Sequence, residues 1–136
     1  MDLEGSDIIK DFETFLHERG LVLQERLFDQ ETFGNSLLQC GNAVLAVRVV
    51  SDRGVCSITV AESEVQPRKW YDAALLRDLL VGQGDDVLPL VEQIEFLRKN
   101  WDGVVQCLAS ERREESRKKL VQLGLERVRR RIPGLL

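Results

Sequence analysis

The sequence predicts one α+β domain: an N-terminal helix, an antiparallel meander of three to four strands, then three C-terminal helices packing on one sheet face. Three observations carry that expectation. Residues 7–19 place apolar side chains at helical spacing, residues 21–61 alternate and are cut by turn-forming clusters, and a helical period returns near residue 72 and runs almost to the C-terminus. At 136 residues the chain has the size of one domain, long enough to close a core without staples. Its 43% hydrophobic and 31% charged side chains exclude wholesale disorder, and with aromatics at 6% leucine and valine must fill most of the core.

The first helix spans residues 7–19. Ser6 or Asp7 can accept a hydrogen bond from the unpaired first-turn amides, and acids there suit the helix dipole. Ile8, Phe12, Phe15 and Arg19 follow the helical period, Ile9 and Leu16 widen the apolar face, and Gly20 supplies a left-handed stop. A strand follows over residues 21–28, then a loop around Gly34-Asn35 and a short strand over 36–40, with Gly41-Asn42 suited to a tight reversal. The clearest hairpin joins residues 43–50 to 55–61 through Ser51-Asp52-Arg53-Gly54. Leu45, Val47 and Val49 share one face with Cys56, Ile58 and Val60, whereas Arg48, Ser57 and Thr59 take the other, so one side of the sheet is expected to be wet.

Residues 62–69 are polar, contain Pro67 and read as a loop. Asp72 caps a short helix to about Val81, with Leu75, Leu76, Leu79 and Leu80 inward, and Gly82-Gln83-Gly84 ends it. Asp85-Asp86 then starts a helix that tolerates Pro89 in its first turn, with a stripe of Val87, Leu90, Val91, Ile94, Leu97, Trp101, Val104 and Leu108. The helical signal continues to Ile132, where Pro133-Gly134 stops it. An unbroken rod from residue 87 to 131 would be about 68 Å long, too long for a globule roughly 35–40 Å across. A break near residues 109–112 is therefore expected, with a last helix whose Leu120, Val121, Leu125, Val128 and Ile132 fold back on the body. The alternative is a projecting rod whose stripe pairs with a second copy, which leaves a homodimer open.

Catalytic chemistry finds few supports, and neither an enzyme nor a cofactor or metal is expected. His17 is the only histidine, so one chain cannot supply a two-histidine metal site, and no Gly-x-Ser-x-Gly elbow occurs; a solvated helix residue is the simpler account. Cys40, Cys56 and Cys107 lack Cys-x-x-Cys spacing and lie among apolar neighbours, as buried thiols do. Gly82-Gln83-Gly84-Asp85-Asp86 lacks the Lys-Ser/Thr of a phosphate loop, and its carboxylates would repel an anion. The carboxylate pairs Asp7/Asp11, Glu92/Glu95 and Glu114/Glu115 lie on polar helix faces, where no raised pKa is expected. The acidic start lacks the layout of a secretory signal, and no run approaches the ~20 apolar residues of a membrane span. A cytoplasmic protein without membrane contact is the expectation.

Charge is unevenly spread. Residues 1–110 carry 19 acidic and 10 basic side chains, a net −9, and residues 111–136 carry 4 acidic and 9 basic, a net +5. A negative body steers a basic partner, which makes Asp7, Asp11 and Glu18 of the first helix candidate partner contacts. Arg48 on the wet sheet face and Trp70 and Tyr71 at a helix entrance join them, although packing accounts for the two aromatics as well. Arg112, Arg113, Arg117, Lys118, Arg129, Arg130 and Arg131 are the alternative: cations for nucleic-acid phosphates. No aromatic side chain accompanies them for base stacking, and pairs such as Glu115–Lys119 explain part of the pattern as a solvated helix face.

The order Gly34-Asn35, a strand pair turning at Asp52-Arg53-Gly54, then Trp70-Tyr71-Asp72 before a leucine-rich helix resembles small uncharacterised bacterial proteins, some regarded as immunity proteins of toxin systems. The resemblance spans residues 30–132, rests on short turn and cap signals, and implies an α+β fold and bacterial origin but no activity and no functional residue. Together these readings give a non-enzymatic protein-binding protein, of immunity type by the resemblance, that meets its partner through an acidic surface.

Overall fold

In a computed structural model describing residues 7–29, 35–52, 55–63, 69–82, 88–109 and 113–131, helix α1 (Asp7–Glu18) buries Ile9, Phe12 and Leu16 along one stripe. Gly20, at φ +86°, ends it in a Schellman turn: the Leu21 N–H donates to the Leu16 carbonyl and the Gly20 N–H to that of His17, both at 3.0 Å. Leu16 and Leu21 are both buried, the apolar contact expected of this motif.

Five antiparallel strands follow in spatial order β1-β2-β3-β4-β5: β1 (Val22–Asp29), β2 (Asn35–Gly41), β3 (Leu45–Asp52), β4 (Val55–Glu62) and β5 (Tyr71–Asp72). Asn42 forms the β2–β3 reversal. Its Oδ1 accepts from the Val44 and Leu45 N–H groups at 2.8 and 2.9 Å. The sheet has one strand more than expected, because Tyr71 and Asp72 pair with Val60 and Thr59; two residues show no alternation to read. Leu45, Val47 and Val49 do face inward with Ile58 and Val60, joined by Leu38 and Cys40 of β2.

The C-terminal region holds four helices: α2 (Ala73–Leu80), α3 (Leu90–Lys99), α4 (Trp101–Ala109) and α5 (Arg113–Arg131). The break before α5 falls where expected. A second, unexpected break falls at Asn100, whose backbone N–H and side-chain Nδ2 both donate to the Phe96 carbonyl while its own carbonyl accepts from Val104. Pro89 lies outside α3 as its N-cap, with extended backbone, not in the first turn. Asp72 does precede α2, although its side chain makes no cap hydrogen bond. The start foreseen at Asp85-Asp86 lies outside the described residues.

Helices α2, α3 and α4 pack on the β3–β5 part of the sheet and α1 on β1, all from one side. Helix α5 packs on α2 and α4 as an outer layer. Only Leu120 of its expected docking set is buried; Val121 (52% exposed), Leu125 (53%) and Val128 (41%) face outward, and Ile132 lies outside the described residues. Of the stripe expected over α3 and α4, Ile94, Leu97, Trp101, Val104 and Leu108 are buried within the chain, whereas Val91 is 47% exposed and Val87 lies outside the described residues. Beyond the two-residue β5, the edge of β4 is closed by buried Gln93 of α3: its Oε1 accepts the Ile58 N–H at 2.8 Å and its Nε2 donates to the Leu88 carbonyl at 2.7 Å. No helix among the described residues is long and apolar enough to cross a membrane.

Candidate functional site: the open face of the sheet

Residues paired across antiparallel strands share a face, so the register draws directly the surface that lies opposite the described helices. One row runs through all five strands as Glu25, Gln39, Arg48, Thr59 and Asp72. Beside it lies an apolar row of Leu27, Leu37 and Val50, ending at Ser57. On the other flank Gly41, Ala46 and Ala61 form a buried floor of small residues. None of the described helices lies over this face, and Leu27 is 56% exposed.

Arg48 is the fixed point of the row. Its guanidinium carbon stands 4.1 Å from the centre of the Trp70 ring, while Nε and Nη2 donate to Gln39 Oε1 at 3.2 and 2.9 Å. Gln39 Nε2 in turn donates to Gln24 Oε1 at 2.8 Å. Gln24 reaches this face because the β1–β2 register shifts between Leu23 and Glu25, a bulge that re-aims its side chain. The amide of Gln24 lies over Gly41, where an added Cβ would come within 2.7–2.9 Å of it. The Gln24–Gln39–Arg48 ladder escaped sequence reasoning because it depends on a bulge and on register, neither of which has a sequence signal here.

Of the residues singled out from sequence, Arg48 and Trp70 therefore meet, 22 positions apart in the chain. Tyr71 does not join them and is withdrawn as a surface anchor: as the partner of inward-facing Val60, it points into the core and is buried. Asp11 and Glu18 are exposed, but on α1 at the helix-covered side, so they form a separate surface; the Asp7 side chain lies outside the described ones.

The basic alternative stays diffuse. On α5, Lys118 is exposed and Lys119 pairs with Glu115 at 3.2 Å, as its spacing foretold. Arg112 lies outside the described residues, as do the side chains of Arg113, Arg117, Arg129, Arg130 and Arg131.

A groove of about 420 Å³ between α1 and β1 is lined by Glu13, Thr14, His17, Leu21, Leu23 and Cys40 among others. It gathers reactive side-chain types, yet their electrostatics oppose nucleophilic chemistry. Burial, and then the Glu13 carboxylate, push the Cys40 thiol up to about 11 against the opposing pull of Arg26. Glu13 itself is held by Arg26 Nη2 at 2.6 Å. Among the described residues no cluster of three or more histidines, cysteines or carboxylates could hold a metal ion.

Fold and surface together define an α+β domain with a five-stranded sheet covered by described helices on one side only. No family model matches the chain, and neither a curated protein nor a solved structure matches it.

Proposed function

We propose that this chain is a non-enzymatic protein-binding protein that meets its partner through the open face of the sheet. The observation that carries the reading is Arg48, held between Gln39 and the Trp70 ring on a face with an adjoining apolar row. Arginine and tryptophan are the side chains that most often dominate binding energy, because each presents a large contact area at little entropic cost once fixed. The net −9 of residues 1–110 adds long-range attraction for a basic partner. An immunity-type role, in which the chain blocks another protein by covering it, is the finer form of this reading.

Affinity capture at low salt from the source cell tests the proposal with two baits besides the natural chain. A Leu27→Arg/Arg48→Ala bait should lose the captured protein, whereas an Asp11→Lys/Glu18→Lys bait should retain it with a slower association rate. A protein held equally by all three baits, or by none, ends the proposal.

A further inference from the structure

The central row carries a charge pattern that specifies the chemistry of an occupant. Glu25, Arg48 and Asp72 are spaced two strands apart on one line, with uncharged Gln39 and Thr59 between them. Strands lie about 4.8 Å apart, so the backbone positions of Glu25 and Asp72 each stand about 10 Å from that of Arg48. None of the three charges has an ion-pair partner among the described residues. Gln39 takes two of the five guanidinium N–H groups of Arg48, and the Trp70 ring covers one of its faces. Among the described residues nothing else accepts from its remaining N–H groups.

Resting on the binding role proposed above, the geometry points to an α-helix laid across the strands, carrying an acid flanked by two bases at seven-residue spacing. Seven residues of helix rise about 10.5 Å and return to nearly the same azimuth, so positions i, i+7 and i+14 meet Glu25, Arg48 and Asp72 from one face. An extended segment does not fit. Three residues of strand also span about 10 Å, but side chains an odd number apart point to opposite sides. Side chains three or four positions to either side of the central acid are displaced by about one strand, so in the next row along the strands an apolar one falls over Leu37 of β2 and its counterpart over Ser57 of β4. A second copy of this chain is a poor occupant. Its helices offer acid–base pairs at this spacing, Lys119 with Glu126 on α5 and Glu92 with Lys99 on α3, but the base still needed would fall at position 133, a proline, or position 85, an aspartate.

Titration with two alanine-rich helical peptides of about 20 residues tests the inference. Both carry leucines beside the central charge; one has Arg–Glu–Arg at i, i+7 and i+14, the other Glu–Arg–Glu. Three pairings change from attraction to repulsion between them, so the natural chain should prefer the first by about tenfold or more at low salt, less as salt rises. The Glu25→Lys/Arg48→Glu/Asp72→Lys chain should reverse that preference, and Glu25→Lys alone, at an exposed strand edge, should reduce it several-fold. Equal binding of the two peptides, binding of neither, or a preference that Glu25→Lys leaves unchanged overturns the inference. If the open-face bait loses its captured protein while the peptides are not distinguished, the binding role stands and only the helix assignment falls.

Discussion

Replacing Gln93 with leucine removes a side chain that closes the β4 edge, and the cost can be worked from its two hydrogen bonds. Ile58 is fully buried, so its N–H, which donates to Gln93 Oε1 at 2.8 Å, loses its partner with no water to replace it. An orphaned buried donor costs about 1–3 kcal/mol. The Leu88 carbonyl, 2.7 Å from Nε2, belongs to a half-buried residue that water can reach, so only the net worth of that bond is lost, about 0.5–1.5 kcal/mol. Leucine keeps most of the packing volume, so no large cavity adds to the sum. The variant should be about 2–4 kcal/mol less stable in urea unfolding, with an unchanged denaturant slope. Gln93→Glu sharpens the test. A carboxyl here still accepts from Ile58, but only its protonated form donates to Leu88. Its folded pKa therefore lies above the unfolded value of about 4.3, its stability is highest below that pH, and it falls as pH rises through the folded pKa. A Gln93→Leu protein within about 0.5 kcal/mol of the natural chain would refute the role assigned to this side chain.

Four further outcomes follow from the same structure. Cys40, with its thiol pushed up to about 11, should be alkylated by iodoacetamide far more slowly than Cys56 and Cys107, which peptide mapping by mass spectrometry reads directly. Because the unfolded thiol ionises near 9.0, the stability held by protonated Cys40 is present below that pH and is lost as pH rises through about 11; Cys40→Ala should flatten this alkaline decline. Gly20→Ala places a Cβ in ordinary contact with Asn42 Nδ2, 4.0 Å away, and without a clash, so its cost is the backbone strain of φ +86°, about 1–2 kcal/mol by thermal or urea unfolding, and Gly20→Asn should cost less. A double-mutant cycle of Arg48→Ala and Trp70→Ala should give a coupling of about 0.5–2 kcal/mol, and additive losses would mean that the stacked pair does not act as a unit.

Local physics explains which parts were legible in the sequence. The α1 stripe, the Gly20 stop and the hairpin around Asp52 each depend on neighbours within a few residues, and each was readable. The wet face was readable too, since alternation puts Arg48, Ser57 and Thr59 opposite Val47 and Val49. Asn100 was not, because helical periodicity persists through a break that one side chain creates by doubling back on the Phe96 carbonyl. Strand β5 was not, because pairing with β4 is a long-range event. The same holds for the site: Arg48 was singled out, but its hold by Gln39 and Gln24 depends on registers that no composition encodes.

The placement of α5 bears on whether the open face is an accident of a small helical complement. A sheet can be covered on its second side by one amphipathic helix, and α5, at 19 residues, is the longest of the described helices, with apolar side chains on two sides. One of those sides, containing Leu120, stacks on helices that already cover the inner face; the other, with Val121, Leu125 and Val128, is left to solvent. Apolar side chains available for covering the sheet are thus spent elsewhere or not buried at all. Two features make that arrangement intelligible. The row from Glu25 to Asp72 leaves three charges that an apolar helix would desolvate without compensation, at several kcal/mol for each buried charge. The Gln24–Gln39–Arg48 ladder and the Trp70 ring, by contrast, hold the central charge in place at the surface. A face whose charges an apolar helix of the chain itself would strand is consistent with the polar, complementary occupant proposed above.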